Sequence, residues 1–158
     1  MSEVEVLENK IIVYQLEEEE YAISVQHVGS IERILPITRV PRTAKFVKGV
    51  INLRGVVTPV IDLKERFYGK ETTFTDETRI IIVNVDDITV GLIVDSAKDV
   101  IDIQKDQIEA SPEAVGAEVV EYITGVVRYE DRLLILLDLR KVIEKEELSE
   151  LKILEGSS

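Results

Sequence analysis

Apolar residues arrive along this chain in short, mostly β-branched runs separated by turn residues, not at the three-to-four-residue spacing of an amphipathic helix. Four hairpins follow. Residues 11–16 and 21–25 flank a tip at 17–20, and residues 79–85 and 88–95 flank Asp86-Asp87. Residues 49–53 and 56–62 pivot on Arg54-Gly55, and residues 124–129 and 132–138 pivot on Glu130-Asp131. Helices are minor. Pro41 starts a turn of helix through Phe46, Ser111-Pro112-Glu113 starts another, and residues 144–154 form a C-terminal helix with Leu148, Leu151 and Leu154 on one side.

The elements repeat. GVINLRGVVTPVIDLK at 49–64 lies over GVVRYEDRLLILLDLR at 125–140 without a gap, an offset of 76 residues. Gly49/Gly125, Val50/Val126, Asp62/Asp138 and Leu63/Leu139 are identical between the two. Upstream, YAISVQHVGSI at 21–31 lies over VGLIVDSAKDV at 90–100 with an offset of 69. The difference falls in the loop 102–121, where added length is cheap because closure entropy grows logarithmically. Two copies of one five-stranded unit are the economical reading, with close-spaced short strands favouring small barrels. Each copy alone has a marginal core, so the two should pack together and leave a groove between them. The expected division is one domain over residues 8–150. Residues 14–72 make mostly the first barrel and 78–143 mostly the second, with the N-terminal strand and the C-terminal helix free to cross between them. Residues 1–7 and 155–158 read as flexible tails.

Composition narrows the function classes. At 158 residues the chain folds without staples, and with no cysteine it has neither disulfides nor thiolate chemistry. Thirty-one acidic against nineteen basic residues give a net charge of −12, a field that repels nucleic acid and anionic lipid. No run approaches the roughly 20 apolar residues a membrane helix needs, and the acidic start lacks the features of a secretory signal. A soluble, cytoplasmic protein without membrane insertion is expected.

Candidate chemistry is sparse. His27 is the sole histidine; Ser24 lies three residues before it, on the opposite strand face by period two, without an oxyanion-hole motif. Asp62 and Asp138 are a carboxylate pair, but duplication places them on separate units, whereas a glycosidase pair must share one cleft. Each reads better as the cap of a helical turn starting at Leu63 or Leu139. The acidic run 17–20 lacks calcium-loop spacing, and 49–55 lacks the lysine of a phosphate loop. No catalytic residue, metal site or cofactor is expected. Arg54 stands out: it sits at a reversal tip where Gly55 supplies a positive φ, and it would hold a rigid fork of donors out toward a partner.

The stretch from Phe46 through Gly55 (FVKGVINLRG), then Val57 and Pro59-Val60-Ile61-Asp62-Leu63, resembles the signature of the CheW coupling proteins and of the related regulatory domain of the histidine kinase CheA. Tyr21-Ala22-Ile23, Gly91-Leu92-Ile93-Val94-Asp95 and Tyr122-Ile123-Thr124-Gly125 agree in order and spacing, so the resemblance spans residues 10–143. It implies an all-β protein of two SH3-like barrels without enzymatic activity, monomeric when alone. Such a protein would scaffold the kinase regulatory domain and the cytoplasmic tip of a methyl-accepting receptor, recruited from the cytoplasm to membrane-associated arrays. Family positions for receptor contact correspond to Val28 and Ile31, and to their repeat partners Ala97 and Val100, with Arg54 at the supported turn of Asn52, Leu53 and Gly55. The four aliphatic positions would line an apolar trough suited to a helix, or else fill the core between the barrels. The kinase contact is expected on the second barrel, at Leu133 and Ile135 or their outward neighbours. Competing readings are another CheW-like adaptor, a small-ligand-binding β-barrel, disfavoured by the absence of Trp and only eight Tyr and Phe in all, and an acid/base enzyme using Asp62 or Asp138.

Overall fold

A computed structural model describes residues 10–41, 43–85, 87–109 and 123–142. The chain runs β1 (Lys10–Leu16), β2 (Glu19–Ser24), a 3-10 turn (Val25–His27), β3 (Val28–Arg33), β4 (Val47–Leu53), β5 (Val56–Asp62) and the short helix α1 (Leu63–Tyr68). It continues through β6 (Arg79–Val85), β7 (Ile88–Val94), β8 (Ser96–Asp102), β9 (Ile108–Glu109), β10 (Ile123–Tyr129), β11 (Arg132–Leu137) and the turn of helix α2 (Leu139–Val142). The expected hairpins are all present, the first with a shorter tip, Glu17 and Glu18, because Glu19 and Glu20 already pair with Leu16 and Gln15. No helix forms among the described residues between 41 and 46, which make turns instead. The helices expected at 111–113 and 144–154 lie outside the described residues.

Two sheets hold these strands, one of six in the order β8-β1-β2-β11-β10-β9 and one of five in the order β3-β6-β7-β5-β4. The sixth strand is the two-residue β9, whose counterpart in the other sheet is the single bridge from Thr38 to Val50. The repeat is visible bond by bond. Both β4 and β10 slip register at the same place, between Val47 and Gly49 and between Ile123 and Gly125. Both glycines there face backbone: a Cβ on Gly49 would meet the Thr38 carbonyl at 2.0 Å, and one on Gly125 the Glu109 carbonyl at 2.9 Å. The parallel pair Val60 with Gly91 in one sheet matches Leu136 with Ala22 in the other, under the two offsets of 76 and 69.

The strands divide between the sheets differently from the expected split at 72–78. The whole hairpin β1–β2 joins β8 to β11, and the whole hairpin β6–β7 joins β3 to β5. Each copy therefore lends its first hairpin to the other, an exchange of two strands in both directions and not of one N-terminal strand. β2 and β7 are apolar on both faces, and each lies between two neighbours in the sheet that receives it. Three clusters result. Ile51, Val60, Ile80, Ile82 and Ile93 fill the five-stranded sheet, and Ile11, Val13, Ala22, Val127 and Leu134 fill the six-stranded one. A larger cluster, including Ile12, Tyr14, Ile81, Val83, Leu92 and Ile135, joins the two.

Candidate binding surface

β3 and β8 are repeat counterparts, and each is the outermost strand of its sheet. Residues directly opposite across a pair of strands share a face. Val28 and Ile31 stand opposite Val83 and Ile81, and Ala97 and Val100 stand opposite Tyr14 and Ile12. All four partners belong to the cluster that joins the sheets. The four predicted positions therefore lie on the inter-sheet face, at its rim. Val28 and Ala97 are half-buried against the joining cluster, whereas Ile31 is 39 % and Val100 57 % exposed. The alternative that all four fill the inter-barrel core does not hold for Ile31 and Val100, which have no sheet beyond them to be covered by. The four side chains thus sit at the margin of the joining cluster, two half-buried and two exposed.

Arg54 stands at the β4–β5 reversal with φ 52°, followed by Gly55 at φ 88°. Asn52 supports the turn, its Oδ1 accepting from the Gly55 N–H at 2.6 Å. Leu53 is half-buried against the core of the five-stranded sheet. The Arg54 guanidinium is 71 % exposed and donates to Glu32 Oε2 at 3.0 Å, which ties this tip to β3 beside Ile31. The Glu32 carboxyl is held below its ordinary range by a hydrogen bond from the Ser30 hydroxyl, opposed by partial desolvation and reinforced by Arg54. The sequence reading named Arg54 and not Glu32, whose only signal is the spacing that puts it one residue beyond Ile31.

The two second-sheet candidates part company. Leu133 is 36 % exposed, whereas Ile135 is 3 % exposed and packs in the joining cluster. Ile135 is thus a core residue and has no surface to offer a partner, a correction whose reason is place along the strand: Leu133 shares its face but lies beside the β10–β11 tip, whereas Ile135 pairs with Tyr21 where β11 runs between β2 and β10. Near Leu133, Arg132 forks onto Glu20 at 3.0 and 2.6 Å and reaches Asp99 at 3.5 Å.

Nothing here assembles acid/base machinery among the described residues. Ser24, His27 and Asp138 line one groove of about 400 Å³. Yet Ser24 Oγ accepts from the Gln26 N–H, and Asp138 Oδ1 accepts from the Arg140 N–H at 3.0 Å, each a backbone cap. Asp62 is fully buried; it caps α1 through the Glu65 N–H at 3.2 Å and accepts from Thr72 N–H and Oγ1 at 2.8 and 2.7 Å. The two aspartates are helix caps, as their repeat positions predict. No group of side chains suited to a metal ion occurs among the described residues. No described helix is long and apolar enough to cross a membrane.

Comparison with known proteins matches the CheW-like domain family over residues 10–147. Chemotaxis protein CheW of Bacillus subtilis (strain 168) is 50 % identical over 137 residues, covering 87 % of this chain and 88 % of that protein. Chemotaxis protein CheW of Klebsiella aerogenes is 34 % identical over 145 residues, covering 92 % and 87 %. The crystal structure of the scaffolding protein TtCheW from Thermoanaerobacter tengcongensis superposes with a TM-score of 0.79 at 35 % identity, covering 88 % of this chain and 90 % of that one.

Proposed function

This chain belongs to the CheW-like family, and from that premise we propose that it is a chemotaxis coupling protein, a non-enzymatic scaffold joining the cytoplasmic tips of chemoreceptors to the histidine kinase CheA. The observation that supports the reading is that Val28 and Ile31 on one edge strand, and their repeat counterparts Ala97 and Val100 on the other, stand opposite residues of the joining cluster, two half-buried and two exposed, and on this reading they line one receptor trough. An apolar strip of this kind suits one face of an amphipathic helix. Arg54, on a preorganised turn tied to Glu32 of the same strand as Ile31, adds a directional donor to an otherwise apolar contact on this reading. The kinase regulatory domain docks on the six-stranded sheet around exposed Leu133, without Ile135. The protein works in the cytoplasm and reaches membrane arrays through its receptors. It acts as a monomer with no cofactor.

Co-sedimentation of the full chain with a soluble receptor cytoplasmic fragment, with and without the CheA regulatory domain, tests this. A pellet containing all three components is expected, and amide shifts on adding the regulatory domain should fall on β10 and β11. Sedimentation of the chain with neither component would refute the coupling role.

A further inference from the structure

The internal repeat supplies its own control for charge at the trough. Two positions beyond Ile31, on the same face of β3, Arg33 stands directly opposite Arg79 on β6. The repeat counterparts of that pair are Asp102 on β8 and Lys10 on β1, also directly opposite and joined as an ion pair at 3.7 Å. One half thus ends its rim on an attractive pair, and the other half on two like charges. Like charges directly opposite across strands are destabilising. Neither arginine has an ion-pair partner among the described residues, and Arg33 is exposed. Arg79 is not loose: one Nη donates to the carbonyls of Asp76 and Thr78 at 2.7 and 2.8 Å, which holds its guanidinium at the end of β6. In a chain of net charge −12, an uncompensated cationic pair beside exposed Ile31 marks a place where negative charge arrives from outside.

We propose that Arg33 and Arg79 form a carboxylate-reading end of the trough, so that the helix lying against β3 carries an acidic residue beside its apolar stripe while the β8 rim makes no such demand. The inference rests on the receptor-coupling reading and adds polarity to it. Two rims that offer equivalent aliphatic contacts would otherwise accept a helix in either direction, and a cationic pair on one rim alone makes the two directions unequal. Because the overall field repels an acidic partner at long range, the attraction operates at contact and weakens with salt.

The test uses the intact chain with two soluble receptor-tip fragments, one natural and one whose tip Glu residues are replaced by Gln. Arg33→Asp rebuilds the charge arrangement of Asp102 and Lys10. It should keep or raise the melting temperature while lowering affinity for the natural fragment roughly tenfold, with a shallower salt dependence. Arg33→Gln, which removes the charge without adding an acid, should lose less and guards against a fold defect. The Gln-substituted fragment should bind the wild-type chain more weakly and should not distinguish it from the variants. Affinity of Arg33→Asp within about twofold of wild type, or equal loss toward both fragments, overturns the inference while leaving the coupling role intact. Failure of the wild-type chain to bind either fragment overturns the coupling role itself, and this inference with it.

Discussion

Arg54 holds a left-handed backbone that costs a non-glycine residue roughly 1 kcal/mol or more, and its repeat counterpart Glu130 adopts the same conformation at φ 57°. The hairpin geometry accounts for the strain; the choice of arginine does not follow from it. Arg54→Glu would set a second carboxylate against Glu32, yet at an exposed tip the stability change should stay near 0.5 kcal/mol. Receptor affinity should fall roughly tenfold; an unchanged binding titration would remove Arg54 from the surface. Glu32 yields a pH prediction. Its carboxyl is depressed from an ordinary value of 4.5. The stability it adds is therefore complete above that value and is lost as pH falls through the lower folded one. The melting-temperature gap between wild type and Glu32→Gln should be constant above the ordinary value of 4.5 and close as pH falls below it. A gap that persists in acid would show that the ionised form is not what matters.

The two hairpin-helix elements, β4–β5–α1 and β10–β11–α2, are the same motif in different surroundings. Asp62 caps its helix, and Gly69, at φ 71°, turns the chain so that Thr72 returns to close over the buried carboxylate with two further hydrogen bonds. Asp138 makes a single side-chain bond and is half-buried. Removing the first aspartate leaves Thr72 unpartnered in the interior, whereas removing the second costs only a cap. Asp62→Ala should therefore destabilise by about 3 kcal/mol and Asp138→Ala by about 1 kcal/mol, read from urea midpoints. Equal losses would mean that the Thr72 contacts contribute nothing. The caps and both turns were legible in the sequence because each depends on residues within a few positions. The Thr72 closure was not, since nothing local distinguishes that threonine from its exposed neighbour Thr73.

At the scale of the whole molecule, the exchange of hairpins makes the joining cluster a shared core: Tyr14, Tyr21 and Phe67 stack across it at 5.7 and 6.2 Å, and Arg66 Nε donates to the Val142 carbonyl from one half to the other. Burial raises the Tyr14 and Tyr21 hydroxyl pKa values further above their already high range, so both stay neutral throughout the stable pH range. The four aliphatic positions proposed for the receptor lie at the margin of this core. Val100→Lys tests the distinction between margin and core directly. With Val100 57 % exposed, the variant should give an unaltered circular dichroism spectrum and a melting temperature near that of wild type. Receptor co-sedimentation should fail, because a docked helix would strip water from an unpaired ammonium. A sharply lowered melting temperature would mean that Val100 is core after all, and normal binding would mean that the trough lies elsewhere.

The sequence by itself determined the four hairpins, the tips at Arg54-Gly55 and Glu130-Asp131, the aspartate caps and the duplication. Each is written in short β-branched runs, in turn chemistry, or in a constant offset between two segments. Which strands share a sheet was decided only in three dimensions. The parallel pairs of Tyr21 with Ile135 and of Val60 with Gly91 join distant segments of two nearly equivalent copies. Hairpin β1–β2 would satisfy the same local pattern in either sheet, so no local signal says which copy receives it. Tertiary pairing also decided that Ile135 is core while Val100 is surface, and that Arg33 meets an arginine where Asp102 meets a lysine. A side chain's face depends on the register of its partner strand, and that register is set by the packing of all three clusters at once.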